Sequence, residues 1–203
     1  MYRNIIKRIL AIVLSLTGIL LLGWVFVLLS IAIKLDSPGP VLFRQKRVGK
    51  DKTHFYILKF RTMRTDTPKD MPTHLLADPH QYITRVGRFL RKTSLDELPQ
   101  LFNILAGDMA VIGPRPALWN QYDLIAERDC YGANDVRPGL TGWAQINGRD
   151  ELPIEVKARF DGEYVQNLNF AFDLKCFLGT IRAVLCGDGV VEGGTGCMKT
   201  EQK

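Results

Sequence analysis

The sequence predicts a helix-rich α/β (α+β) protein with a small β-hairpin and an N-terminal re-entrant membrane helix. Three observations predict this class. Residues 9–33 form an apolar run without a charged side chain. Residues 41–49 and 54–63 are rich in β-branched and aromatic residues, which is typical of two neighbouring strands. Residues 98–105 carry leucine and phenylalanine at the spacing of one helix face.

The apolar run predicts a membrane-anchoring domain at residues 1–36. As a helix it would rise about 37 Å, which exceeds the roughly 30 Å of a bilayer's hydrocarbon core. A signal peptide is the rival interpretation. The run is long for the apolar part of a signal peptide, and no small-x-small cleavage site precedes Lys34. Membrane anchoring is therefore favoured.

Basic residues flank this run on both sides. They are Arg3, Lys7 and Arg8 before it, and Lys34, Arg44, Lys46 and Arg47 after it. Positive residues favour the cytoplasmic side, so a single span would leave one basic flank outside, whereas a re-entrant hairpin keeps both inside. We expect the re-entrant arrangement. Its break would have to lie at Gly18 or Gly23, since glycine permits a kink without forcing one.

The second predicted domain covers residues 37–186. The DSPGP segment at residues 36–40 ends the membrane helix, because proline and glycine do not continue it. The two predicted strands then join at residues 49–52. Residues 65–82 contain three prolines and form a predicted long loop. The glycine-rich residues 187–203 form a predicted flexible tail.

Five helices are predicted in this domain. They cover residues 83–92, 95–106, 117–127 and 155–166, with a last one beginning at Asp173 as N-cap. In the first of them, Val86, Phe89 and Leu90 form the apolar face. The last has basic residues beside its apolar ones and packs either on the core or on the membrane surface.

An adjacent acid pair, Asp96-Glu97, stands at the start of the helix predicted to end at Gly107. One interpretation of the pair is structural. Ser94 and Glu97 have capping-box spacing, whereas Asp96 as the cap would place Pro99 inside the first turn, where proline is tolerated. On the residues alone, a capping role and a chemical role are both open.

The chemical interpretation uses the same position. A carboxylate near the positive end of a helix and close to Arg91 or Arg88 is stabilised as the anion, with a lowered pKa. An ionised Asp96 is able to attack phosphorus, and an adjacent Glu97 helps to hold Mg²⁺, which binds one or two carboxylates together with phosphate oxygens. The GPRP turn at residues 113–116 presents Arg115 rigidly, in a form suited to phosphate binding.

The composition fits an anionic partner. The formal net charge is +6 and the isoelectric point is about 9.2, which suits an acidic membrane surface or phosphorylated substrates. Those partners account for the charge, so we expect no nucleic acid. The four cysteines lack C-x-x-C spacing, which disfavours a zinc site and a disulfide framework.

Four motifs together resemble a known family. They are LDELPQ at residues 95–100, GDM at 107–109, GPRP at 113–116 and RPGLTGWAQINGR at 137–149. They resemble the bacterial sugar transferases, the monotopic polyprenyl-phosphate phosphoglycosyl transferases. The likeness covers nearly the whole chain and is to the small type, which has one membrane helix and one catalytic domain.

The resemblance implies a reaction and a location. Such enzymes move a sugar-1-phosphate from a UDP-sugar to polyprenyl (undecaprenyl) phosphate and release UMP. They perform the first membrane step of surface glycoconjugate or polysaccharide synthesis, which makes downstream glycosyltransferases possible partners. The implied location is the bacterial inner membrane, with the membrane lipids around the anchor and the catalytic domain on the cytoplasmic face.

The resemblance also implies site residues. Asp96 would be the nucleophile that forms a covalent phospho-sugar intermediate, and Glu97, with Asp96, would hold Mg²⁺. Phosphate charge would be neutralised by Lys59, Arg61, Arg91 and Arg115. Contacts to nucleotide, sugar or lipid phosphate would come from Arg137, Gln145, Asn147 and Arg149.

One departure and two rivals accompany the resemblance. Small members of the family commonly break their membrane helix at a Ser-Pro pair, where this chain has Gly23-Trp24. One rival function is another lipid-phosphate enzyme, such as a phosphatase. The other is a non-catalytic adaptor that binds anionic lipid through its basic surface. The sequence does not specify the sugar.

Overall fold

The computed structural model describes residues 1–67, 81–148 and 152–186. These ranges contain a helix-rich α/β protein with two small sheets, so the predicted fold class is confirmed. The helices are α1 (Lys7–Asp36), α2 (Arg85–Thr93), α3 (Gln100–Ala106), α4 (Tyr122–Asp129), α5 (Trp143–Ile146), α6 (Ile154–Gln166) and α7 (Phe170–Cys186). The strands are β1 (Leu42–Val48), β2 (His54–Phe60), β3 (Ala110–Ile112) and β4 (Gly139–Thr141).

The predicted hairpin is confirmed. β1 and β2 pair antiparallel, with Leu42 opposite Phe60 and Val48 opposite His54. In the first half of β2, Phe55 and Ile57 are buried and His54 and Tyr56 are exposed, as a strand with one covered face requires, and Phe60 at its end is buried as well. Ile57 packs with residues of α1 and α3, and Phe60 packs with α1 and α2. The hairpin therefore forms the surface on which α1, α2 and α3 are assembled.

The second sheet, β3 and β4, was not predicted. Its strands have three residues each and run parallel, with Ala110 opposite Gly139 and Ile112 opposite Thr141. Glycine is required where the two backbones meet. A Cβ on Gly139 or on Gly142 would lie 2.1 Å from a backbone atom of Gly113. This close contact fixes the chain direction just before the Arg115 turn.

Helix α1 is continuous from Lys7 to Asp36, and a π-helical turn at Tyr2–Ile6 precedes it. The predicted interruption at Gly18 or Gly23 is therefore wrong. Glycine permits a kink, but here nothing displaces the helical hydrogen bonds, and the Gly18 backbone lies against Leu101 of α3. Most of the apolar surface of α1 is exposed, and the helix is long and apolar enough to cross a membrane. This surface indicates a membrane-associated protein.

Both ends of α1 are bound to the rest of the chain. Near the start of the helix, the Lys7 Nζ atom lies 2.6 Å from Asp173 Oδ2 on α7. At the other end, Asp36 Oδ2 accepts a hydrogen bond of 2.9 Å from the backbone N–H of Val86 on α2. The two basic flanks of the apolar run consequently lie on the same domain.

Several predicted helices have different starts. Residues 117–121 are not helical, because Leu118 instead forms a backbone bridge with Arg47, and α4 begins at Tyr122. Asp173 is not an N-cap but lies inside α7, where it binds Lys7. The helix predicted at 155–166 is confirmed as α6.

The face predicted for residues 83–92 is only partly buried in α2. Leu90 is fully buried, but Phe89 is 54% exposed and does not belong to the core. Most of the predicted loop at 65–82 and the predicted tail at 187–203 lie outside the described residues.

A buried ion pair joins α4 to α6. The Nε and Nη2 atoms of Arg128 donate to one oxygen, Oδ2, of Asp161, at 2.8 and 2.6 Å. The two side chains are 4% and 0% exposed. Burial raises the pKa of Asp161, although the Arg128 charge opposes it. Because both side chains are buried away from water, each charge is stabilised by the opposite charge of its partner.

The substitution Arg128→Ala should destabilise the protein by about 3–5 kcal/mol, because it leaves Asp161 buried without its cation. Chemical unfolding of the detergent-solubilised protein measures the change. The matched control is Arg159→Ala on the exposed side of α6, which should change the free energy of unfolding by less than about 0.5 kcal/mol. Equal effects from both substitutions would contradict the importance of the buried pair.

Candidate active site

The acid pair occupies a short 3₁₀ turn, Leu95–Glu97, which precedes α3. The single helix predicted over residues 95–106 is therefore wrong at its start, although it does end at Gly107. Pro99, which has no backbone N–H, immediately precedes α3, and the backbone of Ser94 adopts a left-handed conformation with φ of 56°. No side chain caps either the turn or α3. The capping interpretation of Asp96 and Glu97 is thus excluded.

Glu97 binds two cations. Its Oε1 atom lies 2.7 Å from Lys59 Nζ and 3.2 Å from an Nη2 atom of Arg115, and its side chain is 16% exposed. Burial alone would raise the pKa of Glu97, but Lys59 and Arg115 outweigh burial and hold that pKa well below its usual range. Glu97 is therefore a fixed anion at neutral pH.

The pKa of Asp96 shifts the other way, so the expectation that the helix start and a nearby arginine would lower it is wrong. Burial raises the pKa of Asp96, and the neighbouring charge of Glu97 raises it further, against the lowering effects of Lys59, Arg91 and Arg115. Arg91 is held in place by a hydrogen bond of 2.9 Å from its Nε to Thr62 Oγ1. Adjacent carboxylates with opposite pKa shifts are typical of active sites, where one group reacts and the other organises charge.

Asn103 determines how these groups meet, although it is not among the site residues predicted from the sequence. Its buried amide donates to the Tyr56 carbonyl at 2.8 Å and accepts from the Leu58 N–H at 2.9 Å. These bonds attach α3 to β2 next to Lys59, which aligns Lys59 with Glu97. The only sequence signal is a polar residue between the apolar residues of α3.

Arg115 is positioned by the second sheet. The Gly113 N–H donates to the Thr141 carbonyl, and the Gly139 N–H donates to the Pro114 carbonyl, both at 2.8 Å. The backbone before Arg115 is thereby bonded to β4 on both sides of Pro114. The predicted rigid turn consequently has a second support, and the RPGLTG segment supplies it.

Two predicted phosphate-binding arginines lie elsewhere. Arg61 is buried and donates to the carbonyls of Ser37 and Pro38, each at 2.7 Å, so it holds the linker after α1. Arg137 is exposed and donates to the Gly107 carbonyl at 2.9 Å. That carbonyl follows the last residue of α3, whereas the acid pair precedes the first one.

The remaining predicted residues differ in their environments. Asn147 donates to the Trp143 carbonyl at 2.7 Å and ends α5. Gln145 is buried, and neither its amide nitrogen nor its amide oxygen has a hydrogen-bond partner among the described residues. It lies beside Gly142, which packs on Gly113, so Gln145 is the one of these residues next to the Arg115 turn. Arg149 lies outside the described residues.

The acid pair fits a magnesium ion that takes its remaining ligands from substrate and water. Both cations contact the same oxygen of Glu97, Oε1, which leaves Oε2 and the Asp96 carboxylate for a metal. Within the described ranges no group of three or more metal-ligating side chains occurs. A closed structural metal centre is therefore not supported there, but a site of two carboxylates plus phosphate is chemically suitable.

The raised pKa of Asp96 predicts a pH-dependent stability difference. A carboxyl whose folded pKa exceeds its unfolded value of about 3.9 favours the folded state below that value, and this contribution is lost as pH rises through the folded pKa. Asp96→Asn should therefore match or exceed the native protein in thermal stability at pH 7. The difference in thermal stability between the two proteins should disappear as the pH falls towards 4. A less stable Asp96→Asn protein at pH 7 would contradict the assigned direction.

Comparison with known proteins identifies relatives over nearly the whole chain. The family described as bacterial sugar transferase matches residues 2–187. The uncharacterized sugar transferase EpsL of Bacillus subtilis (strain 168) is 42% identical over 167 residues, which cover 82% of this chain and 81% of that protein. The exopolysaccharide production protein PSS of Rhizobium leguminosarum bv. phaseoli is 37% identical over 190 residues, which cover 87% and 94%.

A further relative has a name that states a reaction. The UDP-glucose:undecaprenyl-phosphate glucose-1-phosphate transferase of Escherichia coli (strain K12) is 41% identical over 187 residues. This match covers 88% of the present chain but only 40% of the Escherichia coli protein. The chain thus spans less than half of that longer relative and most of the two shorter ones.

Proposed function

Because the chain belongs to the bacterial sugar transferase family, we propose that it transfers a sugar-1-phosphate from a UDP-sugar to undecaprenyl phosphate and releases UMP. The observation that carries the proposal is the partly buried Asp96, beside Glu97 and within the electrostatic influence of three cations. The name of the Escherichia coli relative supports the substrate classes. The apolar surface of α1 supports a lipid acceptor.

The proposed first step is attack by a carboxylate oxygen of Asp96 on the phosphorus that bears the sugar. A bond forms between that oxygen and phosphorus, and the bond from phosphorus to the bridging oxygen of UMP breaks. UMP leaves with the bridging electron pair. A phosphate oxygen of undecaprenyl phosphate then attacks the same phosphorus, which forms a diphosphate-linked sugar and regenerates the Asp96 carboxylate.

The raised pKa of Asp96 supports this role. A partly desolvated carboxylate is more basic than one in water and therefore a better nucleophile towards phosphorus. Three cations would face the negative charge that builds up on the transferring phosphoryl group. They are Lys59 and Arg115, which contact Glu97, and Arg91, whose charge lowers the pKa of Asp96. Stabilisation of that charge is the main contribution of a protein to phosphoryl transfer.

We include Mg²⁺ in the proposal, held by Asp96 and Glu97. When bound, the ion would neutralise phosphate charge on the UDP-sugar. The two carboxylates contribute the anionic ligands, and Lys59 and Arg115 fix the orientation of Glu97.

We further propose that the domain lies on the cytoplasmic face of the inner membrane, and that the unbroken helix α1 lies along that face so that both of its ends remain there. The contacts of Lys7 with Asp173 and of Asp36 with Val86 support this placement, because both flanks of the apolar helix are attached to one domain. Positive flanks favour the cytoplasm, which supports the same side for both.

The substitution Asp96→Asn should lower UMP release by more than about 1,000-fold, because an amide is not a nucleophile here. The assay uses full-length protein in detergent, a panel of UDP-sugars and undecaprenyl phosphate. Asp123→Asn, an exposed aspartate of α4, is the matched control and should retain activity. A substantially active Asp96→Asn protein would refute the nucleophile.

The products separate the rival functions in the same assay. Release of UDP instead of UMP would indicate glycosyl transfer, and release of inorganic phosphate from the lipid would indicate a phosphatase. The lipid-binding adaptor would be supported if the native protein forms no product from any UDP-sugar and the Asp96→Asn substitution leaves membrane binding intact.

Removal of divalent cations should abolish UMP release, and added Mg²⁺ should restore it. In Glu97→Gln the Mg²⁺ concentration for half-maximal activity should rise by about tenfold or more, because one anionic ligand is lost. The exposed Glu155→Gln on α6 is the control and should keep the native requirement. Full activity in the presence of excess chelator would contradict the magnesium proposal.

The placement of α1 predicts that its N-terminal end is inaccessible from outside the cell. In intact spheroplasts of an Arg3→Cys variant, a membrane-impermeant thiol reagent should label neither the thiol at position 3 nor the exposed Cys130. After lysis both thiols should react, as measured by peptide mass. Labelling at position 3 in intact spheroplasts, with Cys130 protected, would show that α1 crosses the membrane.

A further inference from the structure

A basic cavity lies at the N-terminal end of α1, at the opposite end of α3 from Asp96. Its volume is about 240 Å³. The charged side chains that line it are Arg3, Lys7, Arg8, Lys50, Arg137 and Asp135. Five cations therefore face one carboxylate in a space large enough for a phosphate group. The proposed reaction at Asp96 uses none of these residues.

The positive charge of this cavity is only partly neutralised. Lys7 is paired with Asp173, so its charge is balanced. Arg8 and Arg137 donate to backbone carbonyls at the end of α3, those of Leu105 and Gly107, each at 2.9 Å. The carbonyl end of a helix carries about half a negative charge, which does not balance two guanidinium groups.

The two other cations lie towards solvent. Lys50 contacts Asp51 at 3.3 Å, an exposed pair that contributes little. Arg3 makes a long hydrogen bond of 3.4 Å to the backbone carbonyl of Asp135. Both side chains are thus available to close over an anion that enters from outside.

The position of the cavity indicates the source of the anion. Arg3 and Arg8 belong to the same continuous helical segment as Ile5 and Ile9, which are 56% and 54% exposed. An apolar helix surface beside a basic cavity matches the two parts of an acidic phospholipid, since acyl chains contact the helix and basic residues attract the headgroup.

We propose that this cavity binds a phosphate-bearing anion, and that the headgroup of an acidic phospholipid is its occupant. Headgroup binding would attach the start of α1 and the end of α3 to the membrane surface. The site is separated from Asp96 by the length of α3, about 10 Å, so headgroup binding and the proposed catalysis are distinct properties of the chain.

The test compares two double variants of the full-length protein in detergent micelles that contain equal amounts of phosphatidylcholine and phosphatidylglycerol. Arg3→Gln with Arg137→Gln removes two guanidinium groups from the cavity. Arg85→Gln with Arg159→Gln removes two exposed guanidinium groups elsewhere and has the same net charge. The lipid that remains bound to the purified protein is identified and quantified by mass spectrometry.

The native protein and the control should retain phosphatidylglycerol in preference to phosphatidylcholine. In the cavity variant the affinity for phosphatidylglycerol should fall about fivefold for each cation removed. Circular dichroism checks that both variants fold. If the cavity variant does not fold, Arg3→Gln with Lys50→Gln replaces it, since both side chains are exposed.

A second arm measures inorganic phosphate binding in lipid-free micelles by calorimetry. One outcome is that the native protein binds inorganic phosphate, the cavity variant does not, and no protein prefers phosphatidylglycerol. The ligand would then be a soluble phosphate, and the proposal of a lipid headgroup would be wrong. The proposed site would be wrong if no protein binds phosphate and all three have the same lipid preference. It would also be wrong if no protein binds phosphate and both double variants lose phosphatidylglycerol equally.

Discussion

The structure depends on the contact of Glu97 with Lys59 and Arg115. A largely buried carboxylate is costly unless it is paired, and here two cations on different elements approach the same oxygen, Oε1. Lys59 comes from the hairpin and Arg115 from the turn after β3. The contact therefore joins the hairpin, the turn before α3 and the second sheet at one point. It also holds Glu97 ionised, and that charge helps to raise the pKa of Asp96.

Much of the remaining architecture supports that contact. Asn103 attaches α3 to β2, and glycines at 139 and 142 allow the backbone before Arg115 to bind β4 closely. The buried pair of Arg128 and Asp161 joins α4 to α6 outside the site. Helix α1 is attached at both ends, so the apolar surface for the membrane has a fixed position relative to Asp96. The apolar surface of α1 and the acid pair are thereby held on one domain.

The sequence predicted the features that depend on local pattern. The hairpin follows from two strand-like segments with a short connection, and the acid pair with the Arg115 turn follows from motifs a few residues long. The parallel pair β3 and β4 was missed, because three-residue strands are too short to show alternation. The separate turn at Leu95–Glu97 was missed because the apolar spacing continues from Leu98 into α3.

Long-range contacts account for the other differences. The substrate contact that the resemblance implies for Arg137 stays a prediction, and its side chain donates to the Gly107 carbonyl at the far end of α3. Arg61 lies two residues after Lys59, but it faces the linker instead of the acid pair. Glycine content could not decide whether α1 bends, since a kink depends on what displaces the helical hydrogen bonds. The spacing of residue types along the chain predicts none of these contacts.

The most direct test of the account is isolation of the covalent intermediate. Full-length protein is incubated with each UDP-sugar of the panel in the absence of undecaprenyl phosphate, quenched and digested, and the masses of the peptides are measured. With the substrate sugar we expect a sugar-phosphate adduct on the peptide that contains Asp96, released UMP in equal amount, and loss of the adduct when undecaprenyl phosphate is added. If every UDP-sugar of the panel leaves Asp96 unmodified, while UMP still appears as soon as lipid is added, the transfer is direct and Asp96 forms no covalent intermediate.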